Sequence, residues 1–305
     1  NMKNDISLFI FAIALLSGPV SANDLSMTAV KDTLASIPGE HNYIYVRTPL
    51  GEDEEKNYDE ITFYDGLGRE LDFAQSYGAD RAGAIMAHHH LIEYDSLGRK
   101  EKQWLSTNTS FSYMSPEDLK GGVLWDYHDA GKRSYLQTNY ESSPLNRITE
   151  QYGVGDAWGD HPARMEYLTN IPADSLRCSF YFIDDNDSLI RRGDYRSGEL
   201  QVTKATDEDG KPTYTFVDKQ GRTLLTRLGR GNQQADTYFV FDRFGRIRYV
   251  LPPMINDEIS AGNLDLYAYQ YLYDSFGRCI SKKLPGCAAI GYVYDKACLL
   301  YTSPS

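Results

Sequence analysis

The chain has 305 residues, of which 41% are hydrophobic and 24% are charged, so it is long enough to bury a sizeable core in one or two domains. Its formal net charge of −12 repels phosphate backbones, which excludes nucleic acid as an expected partner. The 24 Tyr residues suit a sheet surface, because the ring packs while the hydroxyl stays hydrated.

The first 22 residues have the pattern of an export signal. Lys3 precedes the apolar run 6–18, and residues 20–22 (VSA) place small side chains before a cleavage site. The run is too short to span a bilayer comfortably. We therefore expect cleavage after Ala22, an exported product without a membrane span, and a periplasmic, cell-surface or secreted location. The alternative is a buried N-terminal helix.

An aromatic-Asp-x-x-Gly-Arg pattern recurs along the chain, and its first copy is Tyr64 to Arg69. The alternating segment before it predicts a strand. Asp65 can accept backbone N–H groups two residues on, and Gly68 can adopt a positive φ without steric cost. Together they predict a type I turn followed by a left-handed glycine, which closes a bulged hairpin. Arg69 then opens the return strand and can cover the aromatic ring.

The four full copies and one that lacks the aromatic residue share this turn chemistry. The predicted turn residues are Tyr64, Asp65, Gly68, Arg69, Tyr94, Asp95, Gly98, Arg99, Asp218, Gly221, Arg222, Phe241, Asp242, Gly245, Arg246, Tyr273, Asp274, Gly277 and Arg278. Degenerate copies lie at 205–212, at 140–148 with Glu141 and Asn146 in place of Asp and Gly, and at 292–297. Such self-similarity predicts a repeat array whose units bury their faces on neighbours.

Helix signals are weak between residues 58 and 297. Only 115–122 predicts a helical turn, with Ser115 as N-cap and Pro116 at the first helical position. The sequence therefore predicts an all-β protein.

The ordered series of these segments, from about His41 to Ala297, resembles the N-terminal part of bacterial Rhs/YD-repeat proteins. The resemblance rests on "DEITFYDGLGRE" (59–70), "EYDSLGRKEKQWL" (93–105), "FDRFGRIRYVLPP" (241–253) and "YLYDSFGRCISKKLPG" (271–286). The start of the series resembles the domain of unknown function that opens many exported proteins of this family. The resemblance implies a YD-repeat hairpin array that forms part of a spiralling β-sheet shell.

In such proteins the shell encloses a variable C-terminal domain, often a toxin used against neighbouring bacteria. Full-length relatives are far longer and end in a core that cleaves itself at an Asp-Pro site, a dipeptide that this chain lacks. The resemblance thus implies a truncated piece of shell wall. The resemblance places an Rhs-associated β domain of unknown function at 58–170 and YD repeats at 171–297. The signal peptide (1–22) is followed by a lead-in segment (23–57), and the tail 298–305 looks like translated sequencing-adapter sequence and is expected to be non-native. A genuine divergent tail is the alternative.

Patterns that carry catalytic or metal chemistry are not found. The sequence has no GxSxG, HExxH or GxxxxGK[ST] motif, and 153–159 misses the dinucleotide-binding spacing. The acidic run 184–187 lacks the glycine of an EF-hand and is expected to be a solvated loop. We predict no catalytic residue, no cofactor and no metal.

His88 and His90 are weak metal candidates, because on a strand they share a face while His89 points away. No Cys or second His pair completes that set. A partly exposed strand start is therefore the simpler interpretation, and replacing all three histidines by Ala is expected to change stability by no more than about 1 kcal/mol.

The four cysteines are Cys178, Cys279, Cys287 and Cys298, and none belongs to a CxxC motif. Cys279 and Cys287 are close enough in sequence to pair in an exported protein, although strand geometry can hold them apart, so their pairing stays open.

The favoured function is a non-catalytic shell segment whose partners are further C-terminal repeats and the enclosed domain. The alternative is a cell-surface adhesin or carbohydrate-binding repeat protein that contacts cell-surface glycans, since Trp104, Trp125 and Trp158 all fall in turn-rich stretches. A hydrolase ranks last for want of a nucleophile constellation.

Overall fold

The computed structural model of the chain describes residues 34, 37, 41–49, 57–79, 85–229, 234–255, 258–295 and 300–302. The predicted signal peptide and Cys298 lie outside these residues, as do most of the lead-in segment and most of the 298–305 tail. The chain divides into two units, Asn1–Pro162 and Ala163–Ser305.

Unit 1 is an antiparallel sheet of consecutive hairpins. Its strands are β1 (Asn42–Pro49), β2 (Asn57–Tyr64), β3 (Glu70–Ala79), β4 (Ile85–Tyr94), β5 (Lys100–Trp104), β6 (Thr107–Ser110), β7 (Tyr135–Tyr140) and β8 (Ile148–Tyr152). β1, β2, β3 and β4 pair in sequence order. The first half of β4 then pairs with β6 and its last residues pair with β5, which continues to β7 and β8.

Unit 2 is a longer antiparallel meander with an inserted hairpin. Its strands are β9 (Ala163–Thr169), β10 (Ser179–Ile183), β11 (Leu189–Asp194), β12 (Gln201–Thr206), β13 (Pro212–Val217), β14 (Thr223–Leu228), β15 (Ala235–Phe241), β16 (Ile247–Leu251), β17 (Tyr269–Tyr273), β18 (Cys279–Lys283), β19 (Ile290–Gly291), β20 (Val293–Tyr294) and β21 (Leu300–Thr302). β9 pairs with β12, and β12 to β19 pair in sequence order. The insertion is the β10–β11 hairpin, and β20 pairs with β21. The all-β prediction is confirmed.

Two helices in the described part of the chain depart from the predicted pattern. Helix α1 (Pro116–Asp126) has 11 residues where the sequence predicted one turn from 115 to 122. Ser115 caps it as expected, but Leu119 and Val123 are buried one turn apart, and this packing extends the helix through two glycines. A Cβ at Gly122 would lie 2.7 Å from the Thr107 hydroxyl, so glycine lets α1 approach β6 closely.

Helix α2 (Ala261–Tyr267) was not predicted. Its N-cap is Ser260, whose side chain accepts a hydrogen bond from the Asn263 N–H. Short 3₁₀ turns lie at His128–Ala130, Asp156–Trp158, Asp174–Leu176 and Pro253–Ile255.

Each unit has its own apolar core. In unit 1 it contains Ile37, Ile61, Phe63, Ala74, Ala87 and Phe111. In unit 2 it includes Cys178, Leu200, Val202, Phe216, Leu225, Val240, Leu251 and Ile255. The buried positions of β2 and β13 alternate, as period-2 strands with one core face require.

The three described cysteines, Cys178, Cys279 and Cys287, are free thiols. Within the described residues, no helix combines the length and the apolar character needed to cross a membrane.

Candidate functional site: two rows of interlocked turns

The predicted turn at 65–69 is closed by backbone and side-chain hydrogen bonds that converge on Asp65. Gly68 N donates to the Asp65 carbonyl at 3.0 Å, and Asp65 N donates to the Arg69 carbonyl at 2.9 Å. The N–H groups of Leu67 and Arg69 both donate to Asp65 Oδ1, at 2.8 and 2.9 Å. Gly68 has a φ of +78°, the left-handed conformation that the motif requires.

The other four Asp-x-x-Gly-Arg turns repeat this geometry. Their glycines have positive φ values of 81°, 80°, 78° and 83° at Gly98, Gly221, Gly245 and Gly277. In all five hairpins the strand register shifts at the residue before the Asp. A bulge with a left-handed glycine therefore closes each hairpin.

The arginine of each turn folds back onto its own aspartate. Arg246 Nε donates to Asp242 Oδ2 at 2.8 Å, while Asp242 Oδ1 accepts from the N–H groups of Phe244 and Arg246. Burial acts to raise the pKa of Asp242, but these hydrogen bonds outweigh it and hold the pKa below the ordinary value for Asp. The carboxylate is thus ionised, and both of its oxygens accept hydrogen bonds from within the turn.

The same arginine also reaches the next hairpin. In unit 1 the guanidinium of Arg69 lies 4.5 Å from the ring centre of Tyr94, and the Tyr94 hydroxyl donates to the Glu70 carbonyl at 2.7 Å. Arg99 repeats the step on Tyr140 at 4.7 Å, and its Nη1 donates to the Glu141 carbonyl at 2.9 Å. The turns 65–69, 95–99 and 141–147 therefore form one connected row, called turn row 1.

Unit 2 contains an equivalent row, formed by turns 218–222, 242–246 and 274–278 and called turn row 2. Its arginines lie over the following aromatic rings, with Arg222 5.1 Å from Phe241, Arg246 4.8 Å from Tyr273 and Arg278 4.9 Å from Tyr294. The hydroxyls of Tyr273 and Tyr294 donate to the carbonyls of Ile247 and Cys279. Each turn thus fixes the position of the next one.

The degenerate copies keep the backbone and change the side chains. In turn 141–147, Asn146 has a φ of +54° in place of the glycine, and Arg147 donates two 2.7 Å hydrogen bonds to Glu141. In turn 207–211, Gly210 has a φ of +78° and Lys211 replaces the arginine.

The acidic run that was expected to be a solvated loop forms a further turn, at 184–188, that was not predicted; residues 185–188 are exposed. Asp187 N donates to the Asp184 carbonyl, and Asp184 Oδ1 accepts from the N–H groups of Asn186 and Ser188. Asp187 takes the glycine position with a φ of +66°, and its carboxylate binds Arg248 on β16. The detectable signal was an Asp three residues before another residue that tolerates the left-handed conformation.

The structure corrects the interpretation of the three histidines. β4 alternates, so that His88 and His90 are half-buried on one face while His89 lies on the core face with 1% exposure. His89 Nδ1 is 2.7 Å from Asp72 Oδ2, and Nε2 is 3.0 Å from the Ser110 carbonyl. The expectation of a partly exposed strand start is therefore wrong for His89, because its ring lies on the core face between Asp72 of β3 and Ser110 of β6.

Metal-binding geometry is not assembled in the described part of the chain, where no group of three His, Cys, Asp or Glu side chains is placed to hold an ion.

The tryptophans are dispersed. Trp104 ends β5 and packs 4.8 Å from Tyr135, while Trp125 on α1 and Trp158 in a 3₁₀ turn are 82% and 47% exposed.

Residues 42–169 match the family model of a domain of unknown function, DUF6443. No curated protein sequence matches the chain. Among solved structures, the crystal structures of TcdB2-TccC3 and TcdB2-TccC3-Cdc42 are similar, with TM-scores of 0.53 and 0.54 and identities of 13% and 14%. Each match covers 86% of this chain and 12% of the other, so the chain spans about 12% of the length of those proteins. The chain therefore shares its fold with a part of TcdB2-TccC3 and matches DUF6443 from the start of β1 to the end of β9.

Proposed function

We propose that this chain is a non-catalytic segment of a β-sheet shell in an exported bacterial Rhs/YD-repeat protein, whose full-length relatives enclose a variable C-terminal toxin used in competition between bacteria. The observation that carries this proposal is the pair of turn rows, in which the arginine of every Asp-x-x-Gly-Arg turn binds its own turn and the aromatic ring of the next hairpin.

Such a coupling suits a wall made of many hairpins. Arg246 is held by Asp242 and stacks on Tyr273, and its Nη1 donates to the Asp274 carbonyl at 3.2 Å. Because each contact involves only the adjacent hairpin, the row can be extended without changing its geometry. Repeat proteins are stabilised by such nearest-neighbour contacts. The natural partners of this segment are therefore further YD hairpins and the domain that they enclose.

A structural role also agrees with the state of the turn carboxylates. In the five Asp-x-x-Gly-Arg turns, each Asp accepts two backbone N–H groups and a charge-assisted bond from its arginine, as in turn 95–99. A carboxylate used in this way offers no proton and has no free lone pair directed at a substrate. We infer that the motif recurs because it stabilises the backbone of each hairpin turn.

The comparisons support the proposal at the level of fold. The match to TcdB2-TccC3 extends over most of this chain but only 12% of that protein, as expected if this segment is one part of a longer wall. The export signal predicted at 1–22 favours a location outside the cytoplasm. N-terminal sequencing of the exported material should start at Asn23, and an intact Met2 would contradict export by this signal.

The test is to extend the reading frame in the source DNA beyond residue 297 and to express the product. We expect many further YD hairpins, an Asp-Pro self-cleavage site and a variable C-terminal domain that resists protease while the shell is intact. A frame that instead ends in a wall-attachment signal would support the adhesin alternative and overturn the shell proposal.

A further inference from the structure

Unit 2 contains a cleft of about 300 Å³ between the inserted β10–β11 hairpin and turn row 2. The hairpin is fixed over the sheet because the rings of Tyr181 and Tyr238 pack edge to face at 4.8 Å and Arg248 binds Asp187 at its tip. A cleft of this volume is at the lower end of the range for small-molecule sites. Because the hairpin is fixed over the sheet, the walls of the cleft are preformed. The volume of the cleft suits one small ring.

Aromatic rings form much of the lining. Phe180 stacks on Phe182 at 5.6 Å and meets Tyr195 edge to face at 4.8 Å, while Phe241 lies on the side of turn row 2. All four rings are only partly buried. The face of an aromatic ring is electron-rich and attracts positively polarised C–H groups. Because Arg222 already lies over the ring of Phe241, the aromatic surfaces offered to an aliphatic ring are those of Phe180, Phe182 and Tyr195.

The polar groups beside these rings are left without internal partners. Within the described residues, the Tyr195 hydroxyl and the Gln220 side-chain amide make no hydrogen bond, and Arg222 uses Nε and Nη2 on Asp218 while Nη1 has no acceptor. Burial raises the pKa of Tyr195, so its hydroxyl stays protonated and can donate. Asp242, the carboxylate in the lining, is already bound by Arg246. The available groups are therefore the Tyr195 hydroxyl and the Gln220 amide, which can each donate and accept, beside the cations Arg222 and Arg243.

We propose that this cleft binds an acidic sugar, that is, a pyranose ring with a carboxylate. The C–H face of the ring would stack on the aromatic side chains, its hydroxyls would bond to Tyr195 and Gln220, and its carboxylate would bond to Arg222. A charge-assisted bond from a guanidinium is stronger than a neutral one and selects a carboxylate over a hydroxymethyl group. A peptide with an aromatic ring and a carboxylate is the competing ligand, and the test includes it as a probe. The proposal does not depend on the shell function.

The test uses the full chain and four probes that separate the contributions of ring and charge. They are D-glucuronate with both features, D-glucose with the ring alone, acetate with the charge alone, and N-acetyl-tyrosine as the peptide competitor. We expect D-glucuronate to bind with a Kd of about 1 mM, at least about tenfold more tightly than each of the other three, in an NMR titration.

Two conservative variants place the binding in the cleft. Tyr195→Phe removes only the hydroxyl, and Gln220→Ala changes an exposed turn residue, so each should weaken D-glucuronate binding about fivefold without unfolding the chain. The matched controls are Tyr269→Phe and Gln103→Ala, which change exposed residues outside the cleft and should leave affinity unchanged.

Four results would overturn the proposal. The first is that D-glucuronate does not bind at about 50 mM, a concentration far above the expected Kd, and the second is that D-glucose or acetate binds with the same affinity. The third is that N-acetyl-tyrosine binds more tightly than D-glucuronate, and the fourth is that the cleft variants and the control variants have the same affinity for D-glucuronate. The third result would assign the cleft to a peptide partner.

Discussion

Unit 1 pairs carboxylates with basic side chains both in its turns and inside its sheet, and the two settings differ in sequence distance and in burial. Asp65 and Arg69 are four residues apart, and their side chains are 16% and 33% exposed. Asp72 and His89 are 17 residues apart, and their side chains are 4% and 0% exposed. The turn pair is local and can be repeated, whereas the sheet pair exists only because the register of β3 and β4 brings the two residues together.

The difference in burial predicts a difference in energy. Partly solvated ion pairs contribute about 0–1 kcal/mol, so most of the stability of a turn comes from its backbone geometry and its Asp cap. A buried pair is costly to break, because the remaining partner loses its compensation. Asp72 Oδ1 is buried with no hydrogen-bond partner in the described residues, so His89 is its main compensation. Variants of the sheet pair should therefore lower the free energy of unfolding more than variants of the turn pair.

The largest effect is expected from His89→Ala. It leaves the Asp72 carboxylate buried and unpaired and opens a cavity, and it should lower the free energy of unfolding by about 3–5 kcal/mol. The measurement is urea unfolding of soluble protein. His88→Ala and His90→Ala are the matched controls on the other face of β4 and should each stay within about 1 kcal/mol.

The double variant Asp72→Leu/His89→Leu tests the reason for that loss. Removing both polar groups should recover a large part of the stability, since well-packed apolar residues often replace a buried pair without loss. A His89→Ala cost below about 1 kcal/mol would show that the pair does not support the sheet.

The second effect concerns the left-handed glycine of the turns. At Gly68 an added Cβ would meet nothing within 4 Å, so a substitution there reports on backbone strain alone. Gly68→Val should cost about 1–2 kcal/mol more than Gly68→Asn, because a β-branched residue is strained at positive φ and Asn is not. At Gly98 the Cβ would lie 3.0 Å from Arg69 Nη1, so contact with the preceding turn would add to the cost.

The same comparison should hold at Gly245 and Gly277, which have equivalent φ values. Equal tolerance of Val and Asn at all these positions in denaturant unfolding would refute the hairpin interpretation of the motif.

The third and smaller effect is loss of the Asp cap. Asp242→Ala removes the acceptor for two backbone N–H groups and should cost about 1 kcal/mol. Asp242→Asn keeps the oxygen that caps the turn and removes only the charge that binds Arg246, so it should cost less. Thermal unfolding of the two variants separates the cap from the ion pair. If Asn is as costly as Ala, the ion pair dominates.

The sequence was sufficient for the local features and insufficient for the non-local ones. An Asp and a Gly three residues apart determine a turn by themselves, so the five Asp-x-x-Gly-Arg turns could be placed before the fold was known. Turn 184–188 was missed because Asp187 fills the glycine position and its arginine partner, Arg248, lies 61 residues away. His89 was misjudged because alternation identifies two faces of a strand and does not say which face is buried. Helix α1 was predicted too short because the contact of Gly122 with Thr107 depends on tertiary packing.

The contacts between successive turns could not be predicted from the sequence either. The motif suggested that an arginine covers an aromatic ring, but Arg69 covers the ring of the next copy, Tyr94. That choice depends on the order in which hairpins pair, which only the sheet shows.

The smallest effect is expected for the ion pair of Glu141 and Arg147 in turn row 1. A titration of Glu141 tests how far a partly solvated turn pair lowers the pKa of its carboxyl. The hydrogen bonds from Arg147 and then from Ser143 lower the pKa of Glu141 from 4.5 to about 2. Because the folded pKa lies below the unfolded one, the native state binds fewer protons between these values. Glu141 therefore contributes its stabilisation in full above pH 4.5 and loses it as the pH falls toward 2. A ¹³C NMR titration of the Glu141 carboxyl should give the lowered pKa, Ser143→Ala should raise it in part, and Arg147→Gln should raise it most. A carboxyl that titrates near 4.5 in the unsubstituted protein would contradict this prediction and show that solvent screens the pair.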